Sequence, residues 1–387
     1  MKLKYKAIVV LLMVLLSAYF SYWYSGFPGM SDSVVFYGVA YVILDPNIPV
    51  IQVYNPDVLS FVIQGIPTEN LTLAYKYSIF AAYLMAPLGF LSFRGAEALL
   101  IFLNVFGYTV SVYMILKSYG AKNRWLVYPL ALSLLWIPFI KNIQFGQINA
   151  ILLFFMTMAI VFARNNRYVL CGVLLAVATL FKPFFLAVTM VLIIKNWRIL
   201  VGYLPVLFMA LMLPGTSLWL DSFFWPPHPF FCYSALYNYL GTINNYYFYF
   251  YAVGIGMLTA FITYRSRHLA FFTLASFGLV GAFLAMPVLE ANHLTILIFC
   301  YIWFLFQRSS FKEKAIVGIS FLLINLGSLS IYGGGSIFAG LIIMWIVMAY
   351  TLIHYDNASV KSAGVENCWK GLDLQNDACK MVEPYEG

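Results

Sequence analysis

"IKNIQFGQINAILLF", residues 140–154, places Lys141, Asn142, Gln144, Gln147 and Asn149 at the mouth of an apolar run. On both sides the chain is almost purely apolar, so these five polar side chains are the anomaly that the fold has to explain. Of 387 residues, 63% are hydrophobic, 19% aromatic and only 9% charged, against roughly 25% charged in a soluble domain. Apolar runs recur along nearly the whole length, and a helix of about 20 apolar residues spans a bilayer. The composition predicts an all-α polytopic membrane protein. The net charge of +8 implies no nucleic-acid partner, because Lys and Arg sit in short loops between apolar runs, where the positive-inside rule places them.

Loop charge predicts a topology. "MKLKYK" followed by "AIVVLLMVLLSAYF" reads as an uncleaved first helix with its N terminus inside, since no small-x-small cleavage site follows. Residues 25–74 hold Asp32, Asp45, Asp57 and Glu69 and no Lys or Arg, so this loop is expected outside. The Asn70-Leu71-Thr72 sequon fits the same side. Five basic clusters, at 117–124, 164–167, 195–198, 265–268 and 308–314, are expected inside. The helices between them then pair as 125–140 with 147–163, 168–182 with 184–195, 199–213 with 246–264, 269–285 with 293–306, and 315–332 with 336–355. With helix 1 and 97–116 this makes about twelve spans. The apolar stretch 77–91 is left over; it is short and contains Pro87, and it is expected to lie on the outer membrane surface. Residues 1–355 are thus expected to form one transmembrane domain, with a first outer loop over about 25–96. Residues 356–387, with three lysines against six acids, are expected to form a polar cytoplasmic tail.

Several predicted spans are short. As an α-helix, 293–306 would reach about 21 Å, while the hydrocarbon core is about 30 Å thick. Basic loops fix the inner ends, so the outer ends must stop below the outer surface. Lys182, Glu290, Asn292 and His293 lie at those ends, level with Lys141, Gln147 and Asn149. Polar groups at membrane depth line a cavity or mark function. An outward-opening recess is therefore expected, with Lys182, His293 and the amides offering charge-assisted bonds to a phosphate. Asp32, just past helix 1, can reach in as a general base for an acceptor hydroxyl. Asp32 also has cap chemistry in "SDS". Asp45 in "LDPN" and Asp57 in "YNPD" are explained by turns. Lys141 suits a membrane edge, and Gln147 and Asn149 can also pair helices. No DxD, HExxH or GxxxxGK[ST] motif is present, so neither a metal nor any other cofactor is expected. The five cysteines read as small hydrophobes, with Cys368 and Cys379 sharing the tail.

Residues 145–198 resemble the core of the GT-C glycosyltransferases that depend on polyprenol-phosphate mannose, glycosyltransferase family 87. That pattern is GQxN, an apolar helix, a basic turn, a small-residue helix ending in KP, and a second basic turn. Here it is carried by Gly146, Gln147, Asn149, Lys182 and Pro183. "MPVLEANHL" (286–294), ending its motif at His293, and "SDSVVFYGVAYVIL" (31–44), with Asp32 and Tyr37, are similar to two further segments of that family. The resemblance implies transfer of one hexose, often mannose, from a polyprenyl or dolichyl phosphate to a lipid or glycan acceptor. Transfer would take place on the extracytoplasmic face of the cell membrane, with inversion. It implies Asp32 as base in the first outer loop, with Tyr37 in the same segment. The recess residues Lys182, His293, Gln147, Asn149 and Lys141 are expected to hold the donor phosphate, with Tyr37 and Glu290 in support. The competing readings are a secondary transporter, which would show internal repeats, and a non-catalytic lipid- or glycan-handling membrane protein.

Overall fold

A computed structural model describes residues 2–24, 31–66, 75–118, 130, 133–222, 245–286, 290–306, 310–329 and 334–354. Among these the regular structure is entirely helical. The first helices are α1 (Lys2–Tyr24), α2 (Ser31–Leu44), α3 (Pro56–Val62), α4 (Ile79–Met85), α5 (Phe93–Ser118), α6 (Ile137–Gln144), α7 (Asn149–Arg164) and α8 (Tyr168–Phe181). They are followed by α9 (Phe185–Lys195), α10 (Leu200–Leu211), α11 (Thr216–Ser222), α12 (Asn245–Arg265), α13 (Phe271–Ala285), α14 (Ile298–Phe306), α15 (Phe311–Leu329) and α16 (Gly334–His354). Among the described residues two helices are long and apolar enough to cross a membrane by themselves, Phe93–Ser118 and Gly335–Ile353. The 117–124 cluster beyond Ser118, the sequon, Cys232 and the tail with Cys368 and Cys379 lie outside the described residues.

Small residues set the helix contacts. Gly172 of α8 faces the Ile199 carbonyl and the start of α10, so any Cβ there would collide with backbone. Helix α13 is buried along Phe271–Leu284 and packs on α9, α12 and α16. Helix α5 packs on α1 and α7.

Three of the basic turns, at 164–167, 195–198 and 265–268, gather at one end of the bundle. Lys195 Nζ donates to the Arg267 carbonyl at 3.0 Å and also to the Leu269 carbonyl. The Arg164 guanidinium lies 5.4 Å from the Phe272 ring centre, and Tyr168 packs on Phe271 at 6.3 Å. Asn166 takes the left-handed conformation (φ 59°) and its Oδ1 accepts from Tyr168 Oη at 2.7 Å, which makes the 164–167 turn tight. Helices α7, α8, α9 and α13 each run between this end and a polar end formed by Asn149, Lys182 and Glu290–His293.

Two local expectations change. The stretch 125–140 is not one helix running into an outer turn. Residues 134–136 form a break and α6 starts afresh, with Pro138 in its first turn, where a missing N–H costs nothing. Lys141, Asn142 and Gln144 therefore ride on a short helix of their own. The stretch 293–306 is not a uniform α-helix either. Residues Ala291–Leu297 are 3-10 and only Ile298–Phe306 is α. At about 2 Å per 3-10 residue and 1.5 Å per α residue, residues 293–306 reach about 24 Å, slightly more than the length expected from an α-helix alone. The leftover stretch 77–91 is α4 followed by a 3-10 turn, Ala86–Phe90; both pack on α2. Together they are about 20 Å long, too short for a hydrocarbon core of about 30 Å.

Candidate active site

The site begins where α2 meets the α6–α7 turn. Gly146 has φ +64°, and a Cβ on it would lie 2.8 Å from Ser33 Cβ and 2.9 Å from Ser33 N. Only glycine allows both the left-handed turn and this approach. The Asp32 N–H donates to the Phe145 carbonyl at 3.1 Å, pinning the first turn of α2 against the turn. Asp32 lies inside that first turn, and its carboxylate Oδ2 accepts a short bond from Gln147 Nε2. The carboxylate is half-buried. Burial chiefly, and then the nearby Glu290, push its pKa up to about 7, against the opposing pull of Lys182, Gln147 and Lys76.

The turn is held by amides. Asn142 Nδ2 donates to the Gln147 carbonyl and to Asn104 Oδ1, both at 3.1 Å, while Asn142 Oδ1 accepts from the Asn149 N–H at 3.0 Å. Asn142 and Asn149 are fully buried. The five polar residues of 140–149 thus divide by task. Asn142 builds the turn, Gln147 holds Asp32, and Gln144 faces outward.

Lys182 follows from its proline. The residue before proline is driven out of helical conformation, and Lys182 ends α8 at φ −136°, ψ 107°. Its Nζ lies 3.0 Å from His293 Nε2 and 5.0 Å from the centre of the Tyr77 ring. His293 Nδ1 accepts the Glu290 backbone N–H at 3.2 Å, half of a capping box at the start of the 3-10 segment. Glu290 Oε2 is 3.9 Å from His293 Nε2 and accepts from Asn292 Nδ2 at 2.9 Å. Since a carboxylate only accepts, Asn292 must turn its Oδ1 to Asn149 Nδ2, at 3.1 Å. Among the described residues Asn149 Oδ1 has no partner.

Asp32, Gln147, Lys182, His293, Glu290 and Asn149 therefore fall in one polar cluster. Lys141 does not join it through any described contact; its Nζ stands 6.0 Å from the Phe145 ring centre. Tyr37 is also engaged elsewhere, donating to the Leu91 carbonyl at 3.3 Å and packing on Phe93. Asp45 accepts from Asn47 and Asn55 caps α3 ahead of Asp57, the turn chemistry expected of both acids. Tyr77 and Asn104 were not singled out from sequence. Tyr77 Oη donates to Gln147 Oε1 at 3.2 Å. Among the described residues no three His, Cys, Asp or Glu are grouped to hold a metal ion.

An all-helical scaffold thus holds a carboxylate and a lysine–histidine pair in one connected polar network. Residues 75–324 match glycosyltransferase family 87, and the chain belongs to that family. Over 171 residues it is 29% identical to an alpha-(1->3)-arabinofuranosyltransferase of Corynebacterium glutamicum, a match covering 40% of each chain. The chain thus spans about two fifths of the length of that relative.

Proposed function

We propose that this protein transfers a single sugar, mannose by preference, from a polyprenyl or dolichyl phosphate to a hydroxyl of a lipid or glycan acceptor. The reaction inverts the anomeric carbon and needs no metal. The observation that carries the reading is the connected network joining the Asp32 carboxylate to the Lys182–His293 pair at the helix ends remote from the basic turns. Family 87 enzymes use a lipid-linked sugar donor and a glycan acceptor, which supports the substrate class. With Nδ1 of His293 already accepting a hydrogen bond, a neutral ring carries its proton on Nε2. An oxyanion set against both groups would take an N–H from Nε2 and another from Lys182, and charge-assisted bonds of this kind are strong. Asp32 removes the acceptor proton as the new glycosidic bond forms. The sugar–phosphate bond breaks on the opposite face, and the electron pair leaves with the lipid phosphate. Gln147 serves the base. Asn149, whose N–H groups go to Asn142 and Asn292, orients the 290–293 segment. Purified protein in liposomes, given labelled polyprenyl phosphates carrying mannose or arabinofuranose and native membranes as acceptor, should move mannose. Arabinofuranose transfer alone, as the name of the corynebacterial relative would suggest, would replace the sugar assignment. Transfer of neither would overturn the reading.

We further propose the GT-C architecture of about twelve spans, with residues 1–355 as the catalytic domain and 356–387 as a cytoplasmic tail. The site is extracytoplasmic, because the clustered basic turns occupy the cytoplasmic end. Single-cysteine labelling checks this without assuming any chemistry. Asp57→Cys should label from outside and Asn166→Cys only after permeabilisation. Outside labelling at both positions would mean that 77–91 crosses the membrane.

A further inference from the structure

We infer that Tyr77 is a positioning residue that joins the donor-phosphate side of the site to Asp32, a role that rests on the reading of Asp32 as the base. The ionised Asp32 carboxylate only accepts hydrogen bonds, so Gln147 must offer it Nε2. Gln147 Oε1 is then left as a buried acceptor that needs a donor, and the Tyr77 phenol supplies one at 3.2 Å. The same ring carries Lys182 Nζ 5.0 Å from its centre. One side chain therefore touches both the cation of one half of the reaction and the partner of the carboxylate in the other.

Its own placement is over-determined. Phe36, Tyr75 and Phe181 pack on the ring with centroid distances of 5.2, 5.4 and 6.3 Å. Tyr54 Oη donates to the Tyr77 carbonyl at 2.9 Å, and the next N–H, of Ser78, donates to the Leu180 carbonyl at 3.3 Å, two residues before Lys182. The strand of outer-loop backbone that bears Tyr77 is thus stitched to the end of α8 that bears Lys182. Any shift of one side of the site is passed to the other through a ring with little room to move. The charged groups around Asp32 are Glu290, Lys182 and Lys76, none of which Tyr77→Phe alters.

Tyr77→Phe keeps the ring under Lys182 and removes only the hydroxyl. Gln147 is then free to rotate its amide, and Asp32 loses a donor that favours its ionised form. With a polyprenyl-phosphate mannose as probe, kcat should fall about tenfold, the scale of one lost hydrogen bond. KM for the donor should stay within about twofold, and the acid limb of the kcat–pH profile should move to higher pH. Tyr77→Leu removes the ring as well and should also raise the donor KM. If Tyr77→Phe does not fold, Gln147→Leu cuts the same link from its other end, with the same expected shift of the acid limb. An unmoved acid limb in a folded variant, whether kcat is kept or lost with thermal stability, overturns the coupling. Asp32→Asn, assayed beside them, reports on the base itself, so failure of that reading is seen separately from failure of the link.

Discussion

Asp32→Asn should bind the lipid donor yet lose turnover, by the factor of about 10²–10⁴ that separates an enzyme from its variant without a general base. The amide keeps the size and can still pair with Gln147, but it cannot take a proton from the acceptor hydroxyl. An inverting displacement needs one carboxylate facing the anomeric carbon, whereas a covalent double displacement needs a second carboxyl as nucleophile. Glu290, the other acid of the cluster, is engaged by Asn292 and stands on the His293 side. The pH dependence has a definite sign. With its pKa pushed up to about 7, Asp32 as base would be protonated and idle in acid, so wild-type transfer should rise as pH climbs through about 7 and then level off. The same shift means that the folded protein holds this proton more firmly than the unfolded chain. The resulting stabilisation is complete below the ordinary carboxylate range and is lost as pH rises through the folded pKa. Asp32→Asn should abolish that slope in thermal melts. Donor binding and transfer measured on the same preparation, with EDTA added to the wild type, decide the matter. Unchanged transfer in the variant, or a wild type silenced by EDTA, sinks the mechanism.

Lys182→Met should lower the rate about a hundredfold, within the range for removing one preorganised donor at a site where charge develops. The loss should fall on kcat more than on donor KM, because the phosphate gains charge as the sugar leaves it. Lys182→Arg is expected to restore little. A planar guanidinium does not fit the space between His293 Nε2 and the face of Tyr77 that a compact ammonium fills. Full activity in Lys182→Met would remove this residue from the site and leave His293 as the phosphate contact to test next.

Much of this arrangement was legible in the residues. Pro183 next to Lys182, the acid-only first loop around Asp32, and His293 after "PVLEAN" each broke an apolar pattern, and an interruption stands out where everything else is apolar. What stayed hidden had no such contrast. Tyr77 sits in an aromatic, apolar stretch where tyrosine ordinarily reads as part of an interfacial belt. The 3-10 segment Ala291–Leu297 cannot be told from α by periodicity, because every one of its residues is buried. The fresh start of α6 was masked because Pro138 could equally kink a continuing helix. Lys141 shows the converse case. It was conspicuous in sequence for the same reason as Lys182, yet lies over Phe145, since a lysine on a half-exposed helix face can direct its long stem away.

The pairing of α6 with the 291–297 segment has a consequence for how the chain is made. Trp136 Nε1 donates to the Leu294 carbonyl and Thr295 Oγ1 to the Pro138 carbonyl, across 158 and 157 residues of chain. The Asn149–Asn292 and Lys182–His293 contacts span 143 and 111. Ribosomes build chains from the N terminus, so Asn149 and Lys182 enter the membrane long before their partners exist. Until α13 has been threaded through, those groups must be satisfied by water or by the insertion machinery. The Lys182–His293 end of the polar cluster is therefore completed late in synthesis. A nascent chain halted before residue 290 would hold the Asp32 half of the site and have nothing to set opposite it.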